Sequence, residues 1–344
     1  MKGYEAATAV LGEDVSVTLH PFGLPAFIEP RRAVLKNDLA AALDWVTTRR
    51  KELDALQVIV GAIVLRGFPF PDTSAFNALV ELFPSTAFDY AGGATPRAAV
   101  AGKVFEATRA PPDMKIVLHQ EMAYLPHFPK RLAFFCQVAP HTGGETIIAD
   151  MRKFDHALNP NFRDRVRERG VLYTRNFRRP DVSTGDAALD AVHRPWTDAF
   201  STTDPAVAQA ACEDMGLEVE WCADGSMTTR YRGEGVRKHP VTGEEIWFNQ
   251  LAQQHFWSPR NLGAERSAAF QRIYGGKPKP YEACYGDGEP VDPDDIDSVF
   301  PIYDSLTVAF PWRAGDVMLL DNFFVAHGRN PYQGDRNVQV ALLN

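Results

Sequence analysis

Glycine and proline cut this chain into short pieces, with 25 of each spread over 344 residues. Proline fixes φ and removes a backbone donor, and glycine supplies turn conformations, so such punctuation favours short strands joined by turns over a helical bundle. The longest strongly apolar stretch, Leu56–Leu65 (LQVIVGAIVL), is about half of the ~20 residues a membrane span needs and ends at Arg66. It reads as a buried strand, and Met1–Val10 is followed by no apolar run of signal-peptide length. The 36 basic residues against 44 acidic ones leave a net charge of -8, so there is no basic field to attract nucleic acid or an anionic membrane. Cys136, Cys212, Cys222 and Cys284 are scattered without C-x-x-C spacing, so neither a zinc knuckle nor a redox dithiol is implied. Reduced thiols in a cytoplasmic protein are the expectation.

Residues 35–56 place Leu39, Leu43 and Val46 at helical spacing between charges, which predicts an amphipathic helix before the 56–65 strand. A second helix is predicted near Thr73–Leu82, and the Tyr90–Arg97 run (YAGGATPR) is a loop by composition. From Ile116 the segments IVLHQEMAY, RLAFFCQVAP and GETIIADM read as consecutive strands separated by turn residues. A capped, charged helical stretch broken near Pro160 follows, then a long middle section with helical candidates around Asp204–Met215 and Pro259–Tyr274. Short apolar strands return after Ser305. Strand-rich blocks on both sides of that middle section make it an insertion, at about residues 155–300, and no composition shift marks a linker.

His119 and Glu121 lie two apart in a segment with strand character, so their side chains are expected on one face of a sheet. His327 follows an apolar strand in the late block. Two histidines and one carboxylate on one face of an iron leave three positions open, as an oxygen-activating non-haem Fe(II) centre requires. With nine histidines and 44 acids in the chain, H-x-E alone also arises by chance, and a structural His119 is the plain alternative. Arg336 opens the last strand, where a rigid, always-charged fork suits the far carboxylate of a dicarboxylic co-substrate. Thr146 can add a hydroxyl to the same carboxylate. A surface salt bridge and an ordinary strand threonine are the respective alternatives.

Taken in order, His119-Gln120-Glu121-Met122-Ala123-Tyr124, Gly143-Gly144-Glu145-Thr146, His239-Pro240-Val241-Thr242-Gly243-Glu244, Trp247-Phe248-Asn249-Gln250, Ala326-His327-Gly328-Arg329 and Gly334-Asp335-Arg336 resemble the taurine dioxygenase superfamily. Within it, the likeness is to the branch that includes clavaminate synthase and the syringomycin-type amino-acid hydroxylases. It covers roughly residues 60 to 344 and carries nothing over before residue 90. The resemblance implies a mainly β fold with flanking helices, with a double-stranded β-helix (jelly-roll, cupin-like) core and a long helical and loop insertion. It implies one domain over residues 1–344, of which 1–90 are a variable N-terminal α/β part. Fe(II) held by His119, Glu121 and His327 is implied too, together with O2 and with 2-oxoglutarate paired to Arg336 and assisted by Thr146. Glu121 stands where Asp is more usual, a variation this branch shares. A halogenase, which needs that position vacated for halide, is disfavoured.

The implied reaction is hydroxylation of an unactivated C–H bond of an amino acid, or of an amino-acid-derived or carrier-bound substrate, in specialised metabolism. Desaturation or cyclisation by the same chemistry is the alternative, and a non-oxidative metal-binding jelly roll is the rival from another class. Gln120, Tyr124, Arg97, Arg175 and Asn249 are the candidate substrate contacts. His127, His141, His239 and His255 read as loop or core histidines, and Arg329 either supports the neighbourhood of His327 or forms a plain salt bridge.

Overall fold

The computed structural model describes residues 2–86, 99–106, 110–255 and 263–344. An eight-stranded sheet holds both ends of the chain together, in the order Val15–Leu19, Ala26–Pro30, Ala62–Leu65, Val317–Asp321, Arg131–Val138, Asn337–Leu343, Val104–Glu106 and Ala99–Ala101. Its pairings are antiparallel except for the parallel contact between Ala26–Pro30 and Ala62–Leu65.

Period-two alternation divides these strands between two cores. Val64, Leu132, Phe134, Met318, Leu320, Val340 and Leu342 face one, and Ile63, Leu65, Ala133, Phe135, Val317, Leu319 and Leu343 face the other. Helices close the second face through Leu11, Trp45, Val46, Leu53, Leu56, Phe76 and Leu79. On the first face lies a three-stranded antiparallel sheet, Ile116–His119, Val325–Arg329 and Thr146–Asp150 in that order. Leu118, Ile147, Ala149 and Val325 bury against the large sheet in the same core, and the Phe134 ring reaches to 5.2 Å from that of His327. A short ladder of Thr142–Gly143 with Tyr332–Gln333 extends the rim.

The early helix and strand divide differently from the expectation. The predicted 35–56 helix is three, Ala33–Asn37, Leu39–Thr48 and Arg50–Val60, restarted at the Asp38 cap and at Arg49. The last of them runs into the apolar stretch read as strand, so that only Ala62–Leu65 is extended. Leu53, Leu56, Gln57 and Val60 recur at helical spacing and are buried, which extends the helical period up to Gly61. Gly61 ends it at φ 83°, with its N–H on the Gln57 carbonyl. A Cβ there would stand 2.7 Å from Val325 Cγ2, on the strand that carries His327. Gly61→Ala is therefore expected to cost about 2 kcal/mol, from a left-handed backbone and a packed contact, read as a lower melting temperature.

The helical and loop insertion expected between about 155 and 300 is also corrected. It contains a four-stranded antiparallel sheet of its own, Glu218–Trp221, Met227–Gly233, Val171–Phe177 and Tyr281–Tyr285. Short, polar-edged runs such as MTTRYRG and YEACY give a weak strand pattern, and pairing with neighbours far away in sequence decides them. Val171, Tyr173, Phe177 and Met227 join the first core, and Trp247 packs on Phe162 at 5.5 Å, so the segment is anchored to the strands that bear the site. No helix among the described residues is long and apolar enough to cross a membrane.

Candidate metal centre

His119 ends its strand, and His327 lies directly opposite it in the antiparallel register. That pairing brings the two imidazoles to a centroid separation of 4.4 Å. Glu121 is not a strand residue, contrary to the same-face expectation. The strand stops at His119, Glu121 sits in the turn that follows, and Met122 adopts φ 57°. The turn nevertheless points the carboxylate back, with Oε2 3.4 Å from His327 Nε2. One ligand atom from each of His119, Glu121 and His327 lies within 4.8 Å of the others.

The donor chemistry suits a divalent cation. Glu121 and His327 are buried while His119 is half-buried, so the cluster has one wetter side. His119 Nδ1 is 2.9 Å from the Val117 carbonyl, which selects the Nδ1–H tautomer and leaves Nε2 as a lone-pair donor. A carboxylate beside two neutral imidazoles is a hard–borderline ligand set used for Fe(II).

Backbone carbonyls on each side of the ligands are held by buried amides. Gln253 Nε2 donates to Leu118 O at 2.7 Å, Gln250 Nε2 to Gln120 O at 2.7 Å, and Asn322 Nδ2 to Glu121 O at 3.0 Å. Asn322 Oδ1 also accepts from the Glu121 N–H at 2.8 Å. The local pattern does not single out Asn322 or Gln253. Gln250 stands in the WFNQ run and Asn322 in the LLDNFF run, and those two runs are the only signal the sequence offers.

Arg336 lies just before the last strand, with Nε donating to Gly144 O at 2.9 Å. No carboxylate among the described residues is in ion-pair reach of it. Burial, with Arg329 adding repulsion, pushes its guanidinium down to about 10, so it stays charged at neutral pH while lacking a buried counter-ion. The guanidinium carbons of Arg336 and Arg329 stand 5.6 and 5.0 Å from the Tyr332 ring centroid, a support with no signal in the sequence. Gly143 and Gly144 have φ 71° and 69°, and a Cβ on Gly144 would stand 3.1 Å from Arg336 Cδ and 2.7 Å from Pro140 Cγ. This close approach explains the Gly-Gly pair. Two residues on, buried Thr146 accepts from Trp312 Nε1 at 3.1 Å, which leaves its O–H as the donor.

The other expected residues fall in three groups. Gln120 and Asn249 are buried with their amides turned to backbone, Gln120 Nε2 to Phe323 O at 2.8 Å and Asn249 Nδ2 to Gly235 O at 2.6 Å. Arg175 and Tyr124 are brought together: the Arg175 guanidinium lies 4.7, 5.0 and 5.8 Å from the rings of Phe177, Tyr281 and Tyr124. Arg97 lies outside the described residues. His239 is a core histidine, its Nε2 2.9 Å from Asp321 Oδ2 and its Nδ1 facing the N–H groups of Val241 and Thr242. His255 Nε2 meets Ala283 O at 2.8 Å, and His141 lies beside Thr142 on the surface. Arg329 forms no salt bridge among the described residues. Its guanidinium donates to the carbonyls of Ala110, Pro111 and Met114, tying that segment to the His327 strand.

A His–Glu–His cluster between two sheets, with a half-buried arginine that has no ion-pair partner among the described residues elsewhere on the same core, suits a mononuclear non-haem metal enzyme. The model of the taurine catabolism dioxygenase TauD, TfdA family matches residues 25–342, and the chain belongs to that family. It is 32% identical over 329 residues to a clavaminate synthase-like protein of Arabidopsis thaliana, covering 92% of this chain and 93% of that one. With the dapdiamide synthesis protein DdaC of Enterobacter agglomerans it shares 30% identity over 284 residues, 83% of this chain and 82% of the relative. The solved structure of PvcB from Pseudomonas aeruginosa has the same fold at 14% identity, with a TM-score of 0.52 over 96% of this chain and 91% of that one. The protein is thus an oxidoreductase of a dioxygenase family that works on small molecules with Fe(II), 2-oxoglutarate and O2.

Proposed function

We propose that His119, Glu121 and His327 hold Fe(II), that Arg336 and Thr146 hold the distal carboxylate of 2-oxoglutarate, and that the enzyme hydroxylates an amino acid or an amino-acid-derived, carrier-bound substrate in specialised metabolism. The convergence of the three ligand atoms within 4.8 Å carries this reading. The two facing sheets form, on this reading, a double-stranded β-helix core within one domain, with residues 1–90 as a variable part and about 155–300 inserted. Kinship with a protein named for dapdiamide synthesis and with a clavaminate synthase-like protein supports an amino-acid-derived substrate. Free thiols at all four cysteines support a reducing, cytoplasmic setting.

The bound metal and co-substrate would supply the oxidising chemistry, and the chain's own residues do the rest. The His119 tautomer presents Nε2, the Asn322-held turn presents the carboxylate, and Arg336 with the Thr146 hydroxyl orients a dicarboxylate by charge and hydrogen bond. Phe134 packs beside His327 and keeps water off the buried side of the cluster. Arg175, ringed by Phe177, Tyr281 and Tyr124, is the cation proposed to meet an anionic group of the substrate.

Anaerobic addition of Fe(II) and then 2-oxoglutarate tests the reading. A weak visible metal-to-ligand charge-transfer band is expected, and its absence with iron demonstrably bound would sink it. Substrate is sought by substrate-dependent succinate release from a panel of free amino acids and aminoacyl carrier proteins.

A further inference from the structure

The third ligand poses a positioning problem that the strands do not solve. His119 and His327 are locked by direct register pairing, but Glu121 lies beyond the end of its strand, next to a non-glycine residue in the left-handed region. A turn of this kind has alternative conformations close in energy unless its surroundings over-determine it. We propose that Asn322 is a positioning residue that fixes the Glu121 turn against the His327 strand, so that the metal site is already built before a metal arrives. The proposal rests on the assignment of Glu121 and His327 as ligands.

Asn322 grips both polar groups of the Glu121 main chain, accepting from its N–H at 2.8 Å and donating to its carbonyl at 3.0 Å, from a position 201 residues away in sequence. It thereby pairs with Glu121 as the peptide of a neighbouring strand would. Its second amide hydrogen goes to Pro129 O at 2.8 Å, so the turn is tied at both ends. The side chain is fully buried, where an unmade hydrogen bond costs most. Only an asparagine-length amide offers this set of two donors and an acceptor. Aspartate would lack the donors, and glutamine would overshoot by a methylene.

The clamp is itself held. Asp321 Oδ1 accepts from the N–H groups of Phe323 and Phe324 at 2.9 and 3.1 Å, and Asp321 Oδ2 accepts from His239 Nε2 at 2.9 Å. The His239 ring stacks on Phe324 at 4.1 Å and 10°. Gln120 closes the link from the other side by donating to Phe323 O at 2.8 Å. The corner 321–324 therefore couples the His239 turn, the Glu121 turn and, through the strand Val325–Arg329, His327. This accounts for the His239-Pro240-Val241-Thr242-Gly243-Glu244 run, which the chemistry of the centre leaves unused.

The test uses Mn(II) alone as the probe, its free ion counted by electron paramagnetic resonance, with no co-substrate and no turnover. Asn322→Ser, whose hydroxyl reaches only one of the two Glu121 groups, and Asn322→Ala are compared with Trp45→Phe. That control loses the 3.0 Å bond from Trp45 to Asp14 in the other core. Mn(II) binding is expected to weaken about 10- to 100-fold in the Asn322 variants and to stay within about twofold in Trp45→Phe at a similar loss of melting temperature. A cooperatively melting Asn322 variant that binds Mn(II) like wild type overturns the proposal. If both Asn322 variants lose cooperative melting, hydrogen exchange of metal-free wild type decides: the Glu121 N–H is expected to exchange as slowly as core strand amides, and exchange at the rate of an open loop overturns the clamp. If wild type binds neither Mn(II) nor Fe(II) while its Glu121 amide is protected, the ligand assignment fails and the clamp stands.

Discussion

Glu121→Ala is expected to reduce 2-oxoglutarate turnover to succinate by more than about 1,000-fold, some 4 kcal/mol, without unfolding the protein. The side chain supplies the single negative charge of the cluster. Two neutral imidazoles would have to retain a dication by themselves and would leave one more coordination position to water. The main chain of residue 121 would stay in place, because Asn322 holds its N–H and carbonyl rather than its carboxylate. The metal-free variant should therefore melt close to metal-free wild type. Assays of succinate and of thermal melting on the same preparations check both parts. Turnover within tenfold of wild type would remove Glu121 from the ligand set.

Arg336→Ala is expected to act on the co-substrate instead. The guanidinium is half-buried beside Gly144, without a carboxylate partner among the described residues, so a dicarboxylate entering there gains an ion pair whose cation is already partly desolvated. A charge-assisted hydrogen bond of this kind contributes about 1.5–3 kcal/mol, which corresponds to a rise of roughly 10- to 150-fold in the 2-oxoglutarate requirement. The maximal rate should fall much less, because the group lies at the distal end of the co-substrate and away from the reacting atoms. Arg336→Lys should recover only part of the loss, since an ammonium keeps the charge but not the planar fork. Initial rates across 2-oxoglutarate concentrations check this. An unchanged requirement in Arg336→Ala would show that the carboxylate is held elsewhere.

Much of the frame was open to inspection in the chain. The strands RLAFFCQV, VMLLD and VQVALL are short runs whose alternate residues serve two cores, and their composition and turn boundaries, like those of TIIAD, mark them. The helices Met151–Ala157 and Pro160–Arg169 begin at the Asp150 and Asn159 caps, as the capping residues foretell. Where the local pattern misled, a distant contact had overruled it. LQVIV is apolar enough for a strand, yet it completes a helix because Leu53 and Leu56 already bury one face. MTTRYRG is polar enough for a loop, yet it is a central strand because Val171–Phe177 and Glu218–Trp221 flank it.

The same division runs through the centre. Residue identities alone determined the chemistry on offer: two imidazoles, a carboxylate, a guanidinium, and a Gly-Gly pair able to let that guanidinium approach. Tertiary structure decided which of these meet. Register pairing sets His119 against His327, while a turn rather than a strand presents Glu121, and the amides of Asn322, Gln250 and Gln253 hold that turn and the strand before it from far along the chain. A strand's period can be read from neighbours along the chain because sterics impose it residue by residue. A buried amide's partner cannot, because asparagine and glutamine look alike on a surface and in a core until folding brings an unpaired carbonyl within 3 Å of one of them.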